Sequence, residues 1–340
     1  MATRRGPAGH GHFGGSAGTM TVAGLPWVGR ILGLAESRGD DGPVENGPIE
    51  KNDSPGDNMV ERMPGPTLVT VAGRNIRFDV AGSGPPALLL HGINRSLEDW
   101  ALVRDELARR HTVYRVDLPG FGGSERVPRI DLETLAASML GFLDAIGETR
   151  PVRLIGNSLG GAVALQMTAL QPERVAALVL VDSAGFGREV GAILRVLAVP
   201  GMGRRLLTPS LASAERETRS IFFDQSLVTP ERVRFALELA RQPGRADVLL
   251  DTLAALGSWR GIRPEWRAKL LREVRDLDVP MLVMWGAEDA VLPVRHFAGA
   301  KLALPRARFH LFERTGHMPQ LERPDEFVEL VEGFLAEVAV

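Results

Sequence analysis

Gly156-Asn157-Ser158-Leu159-Gly160 follows the short apolar run Pro151–Ile155 and opens the helix-like run Gly161–Leu170. A Gly-x-Ser-x-Gly between a strand and a helix has the spacing of a nucleophile elbow. The turn is so tight that only small residues fit two positions to either side of the serine. It lifts the serine hydroxyl clear of the sheet and aims the next backbone N–H at the same point. A Gly-rich strand–helix turn with a helix-capping serine has the same local pattern. The decision therefore rests on what the rest of the chain places around Ser158.

Outward from the elbow, Ala87–Leu90, Thr112–Asp117, Val152–Ile155, Ala176–Val181, Met281–Trp285 and Arg308–Phe312 are short apolar runs of buried-strand type. Helical patterns lie between most of them: Leu97–Arg109, Leu132–Ile146, Leu159–Leu170 and His296–Leu304, with Pro324–Val338 last. Thr67–Ala72 and Asn75–Ala81 alternate and read as a hairpin joined at Gly73-Arg74. Strands alternating with helices predict an α/β fold, a mostly parallel sheet with helices on both faces. The segment between Val181 and Met281 breaks the rhythm. It holds helical runs at Val190–Val199, Pro230–Arg241 and Asp247–Leu256, and no clear strand. It is too long for a loop in a compact domain. The expectation is a helical cap over 186–276, inserted into a body formed by 66–185 and 277–340.

Residues 1–65 are rich in Gly, Pro, Ser, Asn and Asp and read as a disordered extension. Within them Met20–Leu34, with Arg4 and Arg5 upstream, has some features of an export signal. Pro26, Gly29 and Arg30 interrupt its apolar core, and no cleavage site stands out. The expected location is therefore the cytoplasm, with Met20, Met59 and Met63 as alternative start sites. A 44% hydrophobic and 24% charged composition is that of a globular chain, and a net charge of −2 gives no footprint for a nucleic-acid partner. The chain has no cysteine, which excludes disulfides, thiolate metal sites and a cysteine nucleophile. It has no apolar run of about 18 residues, so stable membrane insertion is not expected. No metal or cofactor is called for, and nothing in the sequence sets the oligomeric state.

A serine hydroxyl is a weak nucleophile and needs a base. In this strand–turn–helix setting the chain order is serine, acid, histidine. Of the seven histidines, His10 and His12 lie in the N-terminal extension, and His91 and His111 precede Ser158. His296 falls on a helix and His310 within a strand. His317, in Arg314-Thr-Gly-His-Met-Pro319, follows the last strand, at the carboxyl end where open α/β sheets place their chemistry. It is the candidate base. Asp289, in Gly286-Ala-Glu-Asp289 after Met281–Trp285, is the candidate acid. Glu288 is adjacent, and Asp182 competes because it too follows a strand. The acid would fix the imidazole tautomer and stabilise the imidazolium. An oxyanion hole needs two N–H groups. Leu159 supplies one and Ile93, in His91-Gly92-Ile93-Asn94, the other. Gly92 lets the backbone turn inward, and His91 is read as a loop anchor.

Together His91-Gly92, Asp117-Leu-Pro-Gly-Phe-Gly-Gly-Ser124, Gly156-Asn-Ser-Leu-Gly-Gly161, Trp285-Gly-Ala-Glu-Asp289 and Gly316-His-Met-Pro319 resemble the α/β-hydrolase superfamily, in its order, from about Thr67 to the C-terminus. Haloalkane dehalogenases and epoxide hydrolases of that fold carry aspartate at the elbow, so Ser158 disfavours those activities. Ile221-Phe-Phe-Asp-Gln-Ser-Leu-Val-Thr-Pro-Glu231 and Asn157 resemble the meta-cleavage-product hydrolases, which cut carbon–carbon bonds. Their cap arginine falls at Ala236, and their tryptophan after the histidine is Met318. Arg232 and Arg234 lie nearby, but a helix carries them onto other faces.

The resemblance implies hydrolysis of an ester or related acyl bond of a small hydrophobic substrate through an acyl-enzyme. The apolar run Ala192–Val199 and Phe222-Phe223 would then shape substrate choice, or simply pack the cap. Carbon–carbon hydrolysis, acyl transfer to an acceptor other than water, and ligand reception on a hydrolase scaffold are the alternatives.

Overall fold

The structure is a computed structural model that describes residues 65–199 and 201–338. The readings made for residues 1–65, Met20–Leu34 included, fall outside the described residues except at Gly65. Strands β1 (Thr67–Val71), β2 (Arg74–Ala81), β3 (Pro86–Leu90), β4 (Thr112–Val116), β5 (Val152–Asn157) and β6 (Val175–Val181) precede a two-stranded ribbon, β7 (Gly257–Ser258) and β8 (Gly261–Ile262). Strands β9 (Met281–Gly286) and β10 (Arg308–Phe312) complete the set. The main sheet has eight strands in the order β1-β2-β4-β3-β5-β6-β9-β10. From β4 to β10 every neighbour is parallel, and β1 and β2 are antiparallel.

Why the sheet is covered on both faces can be read along its strands. All five residues of β3 and all six of β5 are buried. Leu88, Leu90 and Leu154 point to one face, where they meet Met139 and Leu140 of helix Leu132–Ala145 and Val163 and Leu165 of helix Leu159–Leu170. Ala87, Leu89 and Ile155 point to the other, against Trp100, Leu107, Phe327 and Val331. Alternation within a continuous apolar run feeds two cores, as a parallel sheet requires.

Two sequence expectations are corrected. The β1–β2 turn is Ala72-Gly73, one residue earlier than Gly73-Arg74, and both turn residues have positive φ (47° and 76°). A two-residue hairpin loop with both centres left-handed matches the strand twist, and Arg74 then pairs with Val71. The stretch after β6 also contains strands, the β7–β8 ribbon. It includes the helices Leu211–Ile221 and Pro264–Val274, absent from the periodic runs. The second of these packs against helix Leu159–Leu170 and contributes Leu270 and Val274 to the main core. No helix among the described residues is long and apolar enough to cross a membrane.

The order places β3 between β4 and β5. The chain leaves β3 and β5 in opposite lateral directions, opening a crevice at their carboxyl ends. The loop after β3 and the turn after β5 meet there.

Candidate active site

Ser158 follows β5 directly, with φ 56° and ψ −115°, a backbone state that a residue with a side chain rarely adopts. Its surroundings hold it there. Ser158 N donates to Val181 O at 3.0 Å, and Ser158 O accepts from Ala184 N at 3.0 Å. A methyl group on Gly160 would collide with the Leu90 carbonyl of β3, one on Gly156 with the Gly160 carbonyl, and one on Gly161 with the Ser183 side chain. The glycines are therefore a requirement of close packing of the turn on β3, on itself and on Ser183. Leu159 is the first residue of its helix, so its N–H has no acceptor within that helix.

His317 lies in the loop after β10 and is buried. Its Nδ1 is 2.7 Å from Asp289 Oδ2. The other oxygen, Asp289 Oδ1, accepts from Val291 N (2.7 Å) and Leu292 N (2.9 Å), which fixes the carboxylate plane. Asp182, the competing acid, has φ 43° and accepts from Gly286 N at 2.8 Å through Oδ1. Its Oδ2 is buried without a hydrogen-bond partner. Burial, and then the neighbouring Asp289 carboxylate, push the Asp182 carboxyl well above the usual carboxylate range. The arrangement thus pairs His317 with Asp289, with the Asp182 carboxyl, raised by burial, behind them. Asp182, Asp289 and His317 bring ligand atoms within 4.8 Å of one another. A cation there would have to displace the His317–Asp289 bond and the backbone donors already on Asp289. Glu288 turns away and accepts from Thr315 N at 2.9 Å.

The loop after β3 is anchored by His91. Leu118 N donates to its Nε2 (3.0 Å), so the proton resides on Nδ1, which donates to Gly92 O (2.7 Å). Burial pushes the His91 imidazole down to about 4. Ile93 follows, then Asn94 with φ 59°. Ser158, His317 and Ile93 line one cavity of about 630 Å³, with Gly92, Asn157 and Met318. Ser158, Ile93 and Leu159 also line a smaller adjoining cavity of about 80 Å³. Ser158, His317, Ile93 and Leu159 are thereby brought together, with Asp289 reaching the group through His317.

The structure adds contacts that the sequence did not foretell. Asn157 Nδ2 donates to Val181 O (3.2 Å) and His317 O (3.1 Å), joining β5, β6 and the histidine loop. Glu322 accepts from Gly316 N (2.7 Å), Phe223 N (2.9 Å) and Asp224 N (3.0 Å), while His317 N donates to Ile221 O (2.9 Å). The histidine loop is therefore tied to the segment inserted after β6. Asn94 is held from that segment too: its Nδ2 donates to Glu217 Oε1 (2.9 Å) and its Oδ1 accepts from Arg245 Nε (2.9 Å). No spacing rule marks these contacts, because each spans 90 residues or more except those of Gly316 with Glu322 and of Asn157 with Val181. Ala236 sits among Ala214, Val233 and Leu237, away from the cavity. Arg234 pairs with Glu231, and Arg232 stacks on Phe222. Arg95, Arg216 and Arg245 line the cavity instead.

A model of the alpha/beta hydrolase family matches residues 87–330. The chain is similar to an uncharacterized protein of Mycobacterium tuberculosis strain H37Rv, with 34% identity over 284 residues, covering 79% of this chain and 81% of that one. It is also similar to 2-hydroxymuconate semialdehyde hydrolase of Pseudomonas sp. strain CF600, with 32% identity over 277 residues, 79% of this chain and 93% of that one. Among solved structures, a bacterial membrane phospholipase A superposes with a TM-score of 0.69 at 28% identity, over 81% of this chain and 86% of that one.

Proposed function

The chain belongs to the alpha/beta hydrolase family, and on that premise we propose that it is a serine hydrolase cleaving an ester or related acyl bond. Ser158 Oγ attacks the carbonyl carbon while His317 Nε2 takes its proton. Asp289 holds the imidazole with its proton on Nδ1 and stabilises the imidazolium. The N–H groups of Ile93 and Leu159 receive the oxyanion. The protonated His317 gives its proton to the leaving alkoxide. Water then attacks the acyl-enzyme with His317 as base, and Ser158 is restored.

The observation that carries this reading is a serine in a strained turn lining one cavity with a histidine whose Nδ1 is 2.7 Å from a buried carboxylate. We assign the helical stretch of 186–276 as the cap, since Ile193, Leu194, Val196 and Leu197 from it wall the cavity in apolar surface. The cytoplasmic location belongs to the same proposal. The test is labelling by a fluorophosphonate and turnover of a short aryl ester. Ser158→Ala should abolish labelling and lower kcat by on the order of 10⁴ to 10⁶. Retention of full esterase activity would overturn the assignment.

A second reading is carbon–carbon hydrolysis. It draws on the 32% identity to a semialdehyde hydrolase and on the cavity arginine Arg245, whose Nη1 has no hydrogen-bond partner among the described residues and suits a substrate carboxylate. Ring-fission products assayed beside aryl esters separate the two.

A further inference from the structure

The cavity that holds Ser158 opens through an apolar surface. Among the described residues eleven large apolar side chains are exposed, and five of them (Ile193, Val196, Met202, Leu206 and Leu211) fall between positions 193 and 211. That concentration is unlike the scattered exposure normal for a soluble surface. On helix Ala192–Leu197, Leu197 turns inward while Ile193 and Val196, one helical turn apart, face out at 51% and 42% exposure. Ile193, Val196 and Leu206 also line the Ser158 cavity, so the same side chains form its wall and its outer rim. Trp259, 52% exposed at the tip of the β7–β8 ribbon, lies beside that helix: Arg195 Nε donates to its carbonyl at 3.1 Å.

The charge around this rim runs against that of the whole chain. Residues 188–212 carry Arg188, Arg195, Arg204 and Arg205 against Glu189, and although Arg204 pairs with Asp247, Arg260 beside Trp259 keeps the rim net positive in a protein of net charge −2. Arg260 stacks on the Trp259 ring, 4.7 Å from its centroid, and Arg205 is exposed. Exposed aliphatic groups, an outward tryptophan and arginines with long apolar stems are the combination that seats at a lipid–water boundary. The arginines select a negatively charged one.

We propose that this face docks on an anionic lipid surface and that substrate enters the cavity from the lipid through the rim of Ile193, Val196 and Leu206. The occupant is a lipid surface rather than a protein because a folded partner, or a second copy of this chain, seated on the rim would close the mouth. Lipid would instead fill it with acyl chains. The inference rests on the hydrolase reading for its second half only: the substrate is then a water-insoluble acyl ester presented by a bilayer or micelle.

The test uses the full chain carrying Ser158→Ala, so that lipid is not consumed, in co-sedimentation with phosphatidylcholine vesicles with and without phosphatidylglycerol. Binding is expected only with phosphatidylglycerol and should weaken as salt is raised. A Met202→Ser, Arg205→Gln, Trp259→Ala variant should weaken it by about tenfold or more. In the Ser158 background that variant should keep its turnover of a soluble short aryl ester and lose turnover of an ester embedded in the same vesicles. Absence of vesicle binding, or binding that the variant leaves unchanged, overturns the proposal. So does a dimer that the variant dissociates in a chain that ignores vesicles. Patch-dependent binding by a protein that cleaves no ester would instead leave the docking face standing and remove the hydrolase reading.

Discussion

The side-chain amide of Asn157 donates to the backbone carbonyl of His317 at 3.1 Å, across 160 residues of sequence. The same nitrogen reaches Val181 O at 3.2 Å. One side chain at the end of β5 therefore sets the distance between the elbow and the histidine loop. In Asn157→Ala the His317 carbonyl loses this donor, a loss worth about 1–3 kcal/mol for a buried group left unpaired, while Val181 O keeps the Ser158 N–H. The loop is then free to drift, and a displacement of about 1 Å at a reacting group costs on the order of a hundredfold. The expected result is a lower melting temperature and a kcat reduced far more than KM changes. An unchanged kcat would separate Asn157 from the positioning of His317.

Asp289 and Asp182 are two carboxyls that follow neighbouring strands, and the structure gives them different partners. Asp289 contacts His317 and carries two backbone donors. Asp182 is buried, and its carboxyl is raised by that burial and by Asp289. Asp289→Asn should lower kcat by on the order of 10⁴, because an amide does not stabilise the imidazolium and favours the wrong tautomer. Asp182→Asn should keep most of the activity, since Asp182 makes no hydrogen bond to His317 and an amide oxygen still accepts from Gly286 N. The pH behaviour has a definite sign. A group whose folded pKa is raised stabilises the fold below its unfolded value, about 3.9 for Asp. That stability is lost as pH rises toward the folded value. At neutral pH Asp182→Asn should therefore equal or exceed the wild type in urea stability. If Asp182→Asn is the inactive variant, the two acids exchange roles.

What the sequence made legible follows from the range of the forces involved. The elbow, the strands and Leu159–Leu170 were readable because steric and hydrophobic rules act within a few residues. Gly156, Gly160 and Gly161 each answer a collision with β3, the turn itself or Ser183. Asp289 and His317 were readable because each ends a strand, and strand ends converge in such a sheet. Helix Leu211–Ile221 escaped because its stripe is thin: only Ala214, Thr218 and Ile221 are buried. The roles of Glu322, Glu217 and Arg245 escaped because they act through contacts between distant segments. The β1–β2 turn was misplaced by one residue because Ala72, with no side-chain preference for positive φ, supplies half of it.

Arg245 and Asn94 couple the inserted helices to the loop that carries Ile93. Arg245 is almost fully buried, and its guanidinium lies over the Phe121 ring at 4.9 Å. Its Nε and Nη2 donate to Asn94 Oδ1 and Arg95 O. Burial lowers its pKa to about 10, so it stays charged at neutral pH. Arg245→Ala should lower kcat/KM by loosening the turn next to Ile93. Asn94→Gly keeps the left-handed backbone but loses the tether, so it should give the same defect. Residues acting through one contact are not additive, and their coupling is of order 0.5–3 kcal/mol. The double variant should therefore be no worse than either single one. Additive losses would show that Arg245 acts elsewhere than on Asn94.

His91 makes the acid stability of the fold testable. It is buried, donates from Nδ1 to Gly92 O and accepts at Nε2 from Leu118 N, and burial lowers its pKa from 6.5 to about 4. Between those values the unfolded chain binds a proton that the folded chain does not. Stability is therefore lost as pH falls from about 6.5 toward 4, by up to about 3 kcal/mol for this group. Asp117, raised to about 6 chiefly by burial, acts with the opposite sign over an overlapping range. The comparison must therefore be between proteins rather than along one pH curve. His91→Gln offers an amide oxygen to Leu118 N–H and does not titrate. Urea unfolding of both proteins from pH 7 to pH 4 should show the wild type losing more stability than the variant. Parallel curves would mean that His91 takes up its proton as readily in the folded protein as in the unfolded chain, and would overturn its assignment as a neutral anchor.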